Sequence, residues 1–192
     1  MTHNPGGLNR DQSAIASDVL RALRQHEPRD AAERSSLDET LAWLAHAPAP
    51  FDEQADRTHV TASAIVMSRP SPPLVLMHHH KRLGRWLQPG GHIDTDEDPA
   101  TAAIREVGEE TGIAASHPPG GPRIVHVDVH PGPKGHRHLD LRYVLEVSGN
   151  PDPAPQRGES RQVQWMTFDK VLALADPSLR SALDAAVDAI CP

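Results

Sequence analysis

The chain has 192 residues, with 19 Lys and Arg against 26 Asp and Glu, and a net charge of −7 when its 13 His are counted as neutral. This length suits one domain with a small addition and is enough to bury a sizeable core. The acidic charge argues against general nucleic-acid binding and against an anionic membrane surface, because both partners need a basic surface. The lone Cys191 excludes a disulfide framework within the chain, so we expect a cytoplasmic protein.

The sequence gives no indication of secretion or membrane insertion. Its first residues lack the basic and apolar regions of a signal peptide. Its apolar runs fall far short of the roughly 20 residues that a membrane-spanning helix needs. We therefore expect no membrane partner.

Two helices are predicted before residue 56, after a start (residues 1–10) that we expect to be disordered. Apolar residues recur at helical spacing over residues 11–25 and again over residues 30–46. The second helix has Leu37, Leu41, Trp43 and Leu44 on its apolar side. We assign residues 1–55 to a helical extension and residues 56–192 to the main domain. The apolar side needs a partner, which is either the main domain or a second subunit in a homodimer.

The period then changes to that of strands, at residues 58–68, at residues 74–80 and at residues 86–93, where a short strand breaks into a glycine turn at Gly90 and Gly91. A central helix follows, with Asp98 as its N-cap, Pro99 at its first position and Gly112 at its end. Further strands are predicted at residues 123–129, 138–147 and 163–166, before a last helix over residues 177–190. Strands on both sides of a central helix indicate an α/β sandwich with a mixed sheet.

The central helix carries three glutamates on one face. Glu106, Glu109 and Glu110 stand at positions i, i+3 and i+4, where like charges repel one another. A divalent cation would relieve that repulsion, and Mg²⁺ prefers such oxygen ligands. The alternative is an acidic face that only contacts solvent.

The spacing around these glutamates resembles the Nudix box at every defined position. Gly91 is followed after five residues by Glu97 and after seven more by Arg-Glu-Val-Gly-Glu-Glu-Thr-Gly-Ile, which ends at Ile113. The resemblance to a Nudix-like domain extends over about residues 58–190. It implies an α/β/α sandwich that hydrolyses a nucleoside diphosphate linked to another group, with Mg²⁺ or Mn²⁺ as cofactor.

The resemblance also implies roles for individual residues. The metal ligands are Glu106, Glu109, Glu110 and the carbonyl of Gly90. Arg105 is the partner that orients the glutamates, and Glu97 is a supporting carboxylate. The general base is a glutamate of the box or Glu159, which follows a proline-rich loop.

A polar stripe is the candidate for substrate binding. His136, His138, Asp140 and Arg142 recur with period two, so in a strand they share one face, and Leu139, Leu141 and Tyr143 share the other. We expect His136, His138 and Arg142 to contact substrate phosphates, with a further metal site or a solvated sheet face as alternatives. Trp86 is predicted either to stack on a nucleobase or to belong to the core.

These patterns together predict a metal-dependent pyrophosphohydrolase that releases a nucleoside monophosphate from a nucleoside diphosphate-linked small molecule. A catalytically silent ligand-binding module or sensor is the first alternative, although such proteins usually lack one or more glutamates of the box. An isoprenoid diphosphate isomerase is the second, but it would need a cysteine in the sheet region, and Cys191 lies near the end of the sequence. The sequence does not identify the nucleotide.

Overall fold

The computed structural model describes residues 12–69 and 71–190, so the disorder expected for residues 1–10 and the side chain of Cys191 lie outside the described residues. The helices are α1 (Gln12–Arg24), α2 (Ala31–His46), α3 (Pro99–Thr111), α4 (Phe168–Leu174) and α5 (Pro177–Ile190). The strands are β1 (Thr58–Arg69), β2 (Leu74–His80), β3 (Arg85–Leu87), β4 (Gly90–His92), β5 (Ile124–Pro131), β6 (Arg137–Ser148) and β7 (Val163–Thr167). A short 3₁₀ helix (Pro133–Gly135) connects β5 to β6.

The strands form one sheet in the order β3-β2-β1-β6-β5, to which β4 and β7 add by pairing with β1 and β2. The central pair, β1 and β6, is parallel over twelve residue pairs, from Thr58 opposite Arg137 to Arg69 opposite Ser148. The other pairings are antiparallel. The mixed sheet is therefore confirmed.

Two hydrophobic cores lie on opposite faces of this sheet. Val60 and Ala62 of β1 belong to the core that also contains buried residues of α1, α2 and α3. Ile65 and Met67 of the same strand belong to the second core, which α5 covers with Leu183 and its neighbours. Because successive side chains of a strand point to opposite faces, β1 serves both cores and is buried almost throughout. This is the predicted α/β/α sandwich.

The central helix α3 begins and ends where its capping residues predict. Asp98 accepts hydrogen bonds from the backbone N–H groups of Ala100 and Thr101 at 3.1 and 3.0 Å. Gly112 ends the helix in the left-handed region, with φ of 72°. A Cβ atom at Gly112 would lie 2.1 Å from the carbonyl oxygen of Ala154, so glycine is required there for space as well as for conformation.

The N-terminal helices pack on the sheet. Ile15, Leu23, Leu37 and Leu44 are buried in the first core together with the sheet residues. Of the two expected alternatives, the structure shows packing on the main domain of the same chain.

Glu33 of α2 is almost fully buried, at 1% exposure, and joins the helices to the sheet. Its Oε1 accepts hydrogen bonds from Nε2 of His26 at 2.7 Å and from the backbone N–H of Val127 at 3.1 Å. Its Oε2 accepts from the backbone N–H of Arg29 at 2.7 Å. The nearby hydroxyl of Ser36 accepts from the backbone N–H of Val129 at 3.2 Å. Nothing in the sequence distinguishes Glu33 from the other charged residues of this helix.

Two local predictions differ from the structure. Helix α4 was not predicted, because its seven residues are too few for a clear helical period. His136 was placed in a strand, but it lies just after the 3₁₀ helix, and β6 begins at Arg137. Among the described residues, no helix has the length and hydropathy needed to span a membrane.

Candidate active site

The three glutamates of α3 face one another in a partly closed environment. The side chains of Glu106 and Glu110 are each 14% exposed, and that of Glu109 is 40% exposed. Burial raises the pKa of Glu106 above its usual range. Burial, reinforced by the charges of Glu106 and Glu159, raises the pKa of Glu110 to about 8. Such a set of oxygen ligands fits a hard divalent cation such as Mg²⁺ or Mn²⁺, whose charge would offset the repulsion.

The glycine turn before the helix lies directly against these carboxylates. The backbone N–H of Gly90 donates a hydrogen bond to Oε2 of Glu110 at 2.9 Å. A Cβ atom at Gly91 would lie 2.7 Å from Oε1 of Glu106, so a side chain there would displace the carboxylate. The pair of glycines therefore allows the backbone and the acidic face to approach each other.

Arg105 is held mainly by Glu97 and Glu106. Its Nη2 donates to Oε2 of Glu97 at 2.9 Å, and its Nη1 donates to Oε1 of Glu106 at 2.8 Å. The expected bond to Glu109 is present but longer, at 3.4 Å. Nη2 also donates to the carbonyl oxygen of His92 at 2.8 Å. Burial alone would lower the pKa of Arg105, but the carboxylates raise it, so the side chain is a fixed cation that ties the box loop to α3.

A cavity of about 260 Å³ lies beside Glu110. It is lined by His78, His80, Lys81, Arg82, Glu110, Glu159 and Ser160. Glu159 is thus placed near the acidic face, close enough for its charge to raise the pKa of Glu110. Its lining combines two acidic residues, Glu110 and Glu159, with two basic residues, Lys81 and Arg82, and such a site can hold an anionic ligand together with a cation.

Sequence reasoning missed two cations of this cavity, Lys81 and Arg82. They follow the end of β2, and β3 turns back beside the same strand. Two adjacent basic residues directly after a strand were the available signal. His78 lies with its Nδ1 3.5 Å from Oε1 of Glu110. Because burial lowers the pKa of His78 to about 4, this contact involves a neutral imidazole rather than an ion pair.

A larger cavity, of about 910 Å³, lies between α1, the first turns of α3 and the end of α5. Asp98 and Ile104 of α3 contribute to its lining, whereas the three glutamates are absent from the described residues around it. The smaller cavity is the better candidate for chemistry because it contains the perturbed carboxyl group of Glu110.

Two residues of the predicted polar stripe, Asp140 and Arg142, are buried on β6, whereas His136 and His138 are partly buried. Arg142 is 4% exposed, and its guanidinium donates to Asp140 at 3.2 Å, to Asp128 at 2.8 Å and to Ser178 of α5 at 3.0 Å. Asp140 also accepts a hydrogen bond from Ser63 at 2.7 Å. For Asp140 and Arg142 the interpretation as a solvated sheet face is therefore wrong, and Arg142 joins the sheet to α5. Its contact with substrate stays a prediction.

The remaining predicted residues lie in other surroundings. The ring centroid of His138 is 5.0 Å from that of His59, and the ring centroid of His136 is 5.2 Å from that of His59. In the described part of the chain, neither His136 nor His138 lines the cavity beside Glu110. Trp86 is half-buried, packs against the second core and meets the ring of His79 edge-on at 5.4 Å. Their roles in substrate binding stay predictions.

The fold and the site together define an α/β/α sandwich that carries an acidic cluster on a helix bracketed by glycines. A model of the family described as NUDIX domain matches residues 57–186, and the chain belongs to this family.

Individual relatives agree with this assignment. The nucleoside diphosphate-linked moiety X motif 6 protein of Xenopus laevis is 37% identical over 82 residues, which cover 43% of this chain and 37% of the frog protein. The asymmetrical bis(5'-nucleosyl)-tetraphosphatase of Caenorhabditis elegans is 30% identical over 95 residues, covering 47% of this chain and 64% of the worm enzyme. The chain thus spans less than two thirds of either relative. A crystal structure of a NUDIX family hydrolase from Clostridium perfringens superimposes with a TM-score of 0.55 at 25% identity, covering 68% of this chain and 97% of that one.

Proposed function

We propose that this chain is a metal-dependent pyrophosphohydrolase that cleaves the diphosphate linkage of a nucleoside diphosphate derivative. The observation that carries the proposal is the cavity beside Glu110, whose lining brings this buried glutamate of α3 together with Glu159, Lys81 and Arg82. Family membership and the names of the relatives support the same class of reaction.

Acidic and basic residues have different roles in the proposed reaction. Glu106, Glu109 and Glu110, with the carbonyl of Gly90, would hold Mg²⁺ or Mn²⁺. That cation, when bound, supplies positive charge to the diphosphate and lowers the pKa of water. Other residues would bind the phosphates and orient the glutamates. Lys81 and Arg82, which line the same cavity as Glu110, would donate hydrogen bonds to phosphate oxygens. Arg105 keeps the glutamates in place through its bonds to Glu97 and Glu106.

Glu159 is our candidate for the general base. Its place in the cavity lets its carboxylate accept the proton of a water molecule as the water oxygen bonds to phosphorus. The anhydride bond then breaks, and its oxygen leaves with the departing phosphate. The products are a nucleoside monophosphate and a phosphorylated remainder. A glutamate of α3 is the alternative base, and the kinetic effect of Glu159→Gln separates the two.

The catalytically silent alternative has no support from the site. A silent relative would be expected to lack a carboxylate of the box, whereas all three are present and close together. The cytoplasmic location, the homodimer and the absence of nucleic-acid binding stay predictions.

The test is a panel of nucleoside diphosphate derivatives, namely nucleotide sugars, ADP-ribose and dinucleoside polyphosphates, incubated with Mg²⁺ and resolved by chromatography. We expect hydrolysis of at least one of them, its loss with EDTA, and a decrease of at least about 100-fold for Glu110→Gln. Glu39→Gln, which changes an exposed residue of α2, is the matched control and should keep full activity. Activity in EDTA, or a Glu110→Gln variant as fast as the wild type, would refute the proposal.

A further inference from the structure

A cluster of histidines lies outside the residues that line the cavity beside Glu110. His59 is on β1, His92 ends β4 and His138 is on β6. β1 pairs with both other strands, with His59 opposite His138 and Thr61 opposite His92. Residues two apart in a strand point to the same face. The topology therefore brings three imidazoles together on one face of the sheet.

Their geometry is that of a three-histidine ligand set. The ring centroids of His59, His92 and His138 lie 5.1, 5.0 and 5.2 Å apart, which is a nearly equilateral triangle. One nitrogen from each ring can be chosen so that all three lie within 4.8 Å of one another. Three imidazoles around a tetrahedral zinc ion, with Zn–N bonds of about 2.0–2.1 Å, also hold their centroids roughly 5 Å apart.

One nitrogen of each of the three rings is without a hydrogen bond to any described residue. Within residues 12–69 and 71–190, the buried Nε2 atoms of His59, His92 and His138 have no hydrogen-bond partner. Buried polar atoms are normally satisfied, so three unsatisfied nitrogens in one place call for a ligand. His59 is fully buried, and its Nδ1 donates to the carbonyl oxygen of Asp56 at 3.2 Å. That bond leaves Nε2 with its lone pair, as in a metal-binding histidine.

The local charge state is also suitable for a metal. Burial, with smaller effects of the neighbouring imidazoles, lowers the pKa of His138 to about 3, and burial lowers the pKa of His59 as well. A lowered pKa favours the neutral imidazole, which is the form that binds a metal ion. A carboxylate is close by, because Oε2 of Glu53 lies 3.3 Å from Nε2 of His92. Glu53 and His136 form a second group with His59.

We propose that His59, His92 and His138 bind one transition-metal ion of the zinc type, with Glu53 as the nearest carboxylate. Imidazole ligands favour Zn²⁺ and similar ions, whereas the all-oxygen set on α3 favours Mg²⁺, so the two sites select different metals. The ion would fasten β1, β4 and β6 together. His92 also accepts a hydrogen bond from Arg105 at 2.8 Å, so the ion would steady the strand that carries the glycine turn. The proposal does not depend on the hydrolytic activity.

The experiment is a titration of the metal-free full chain with Co²⁺, read from its visible absorption, in excess Mg²⁺ that keeps the carboxylates of α3 occupied. We expect one equivalent of tightly bound Co²⁺ that Zn²⁺ displaces, together with a higher Tm in the presence of Zn²⁺. His92→Gln and His138→Gln should each weaken binding by at least about 100-fold, the upper range for disturbing even an indirect metal contact. His46→Gln, at the exposed end of α2, is the control and should bind as the wild type does.

The variants also separate this site from the proposed active site. Circular dichroism checks that His92→Gln and His138→Gln fold, and Glu110→Gln should lose hydrolysis but keep its Co²⁺ band. A wild-type chain without saturable Co²⁺ binding would overturn the proposal, as would equal binding by the two cluster variants and by His46→Gln. If the wild type binds no Co²⁺ and His138→Gln raises KM, then His138 contacts substrate and the metal site is refuted.

Discussion

Replacement of Glu33 by alanine should destabilise the chain severely. Three donors would lose their acceptor, namely the ring of His26 and the backbone N–H groups of Arg29 and Val127. Each buried donor left without a partner costs about 1–3 kcal/mol. The side chain of His26 is 11% exposed, so some of these groups can reach water. We therefore expect a loss of about 3–5 kcal/mol in the free energy of unfolding for Glu33→Ala, measured by urea denaturation.

Two further variants sharpen this measurement. Glu33→Gln keeps an oxygen for His26 and Val127 but turns an amide NH₂ toward the N–H of Arg29, so it should cost about 1–3 kcal/mol. Glu39→Ala lies on the same helix and removes a pair with Arg137 whose side chains are 49% and 38% exposed. It should cost about 0–1 kcal/mol, as exposed ion pairs do. If Glu33→Ala proves no more harmful than Glu39→Ala, the structural role assigned to Glu33 is wrong.

The contribution of Glu33 to the free energy of unfolding should also depend on pH. Burial raises the pKa of Glu33, but the hydrogen bonds from His26, Arg29 and Val127 outweigh it, so the folded-state pKa lies below the ordinary value of 4.5. A lowered pKa means that the charged carboxylate stabilises the fold above the unfolded pKa, and that this contribution is lost as the pH falls through the folded pKa. The difference in stability between the wild type and Glu33→Gln should be constant above pH 4.5 and shrink below it. A difference that grows on acidification would contradict this assignment.

Three other changes test the site and the scaffold. Glu159→Gln should lower kcat by about 100-fold or more with little change in KM, the scale of a lost general base, and an unchanged kcat would assign that role to α3. Asp98→Ala removes the N-cap of α3 and should lower the free energy of unfolding by about 1 kcal/mol, whereas an unchanged urea midpoint would show that the cap is dispensable. Deletion of residues 1–55 removes the helices that cover the first core and should lower the Tm measured by calorimetry. An unchanged Tm would contradict this prediction.

The main elements of the fold were predictable because their signals are local. Asp98, Pro99 and Gly112 fix the ends of α3 through capping and backbone conformation, and the structure has the helix at those positions. The β-branched run of β1 likewise predicts a strand. The pairing of β1 with β6 could not be predicted, because it joins residues about 80 positions apart and depends on how the helices cover both faces. The burial of Glu33 has the same cause, since nothing near it in the sequence shows that it will meet Val127.

Some features of the candidate site were also predictable from the sequence, whereas others required the structure. The acidic face of α3 follows from the spacing of Glu106, Glu109 and Glu110, and its link to the glycine turn follows from the box. The meeting of Lys81 and Glu159 around one cavity needed the structure, because they come from loops far apart in the chain. The sequence showed His138 but not that His59 and His92 would lie beside it, since each belongs to a different strand.

The contacts of α2 with β5 have a consequence for how the protein behaves among copies of itself. β5 is the last strand at one end of the sheet, and among the residues that the structure describes it pairs with a strand only on its β6 side. Along the other side, the N–H groups of Val127 and Val129 are taken by the side chains of Glu33 and Ser36. Free N–H groups in such a row are a template on which another chain can add a strand. Because α2 supplies the acceptors for these N–H groups, this edge of the sheet does not offer them to the strand of another molecule.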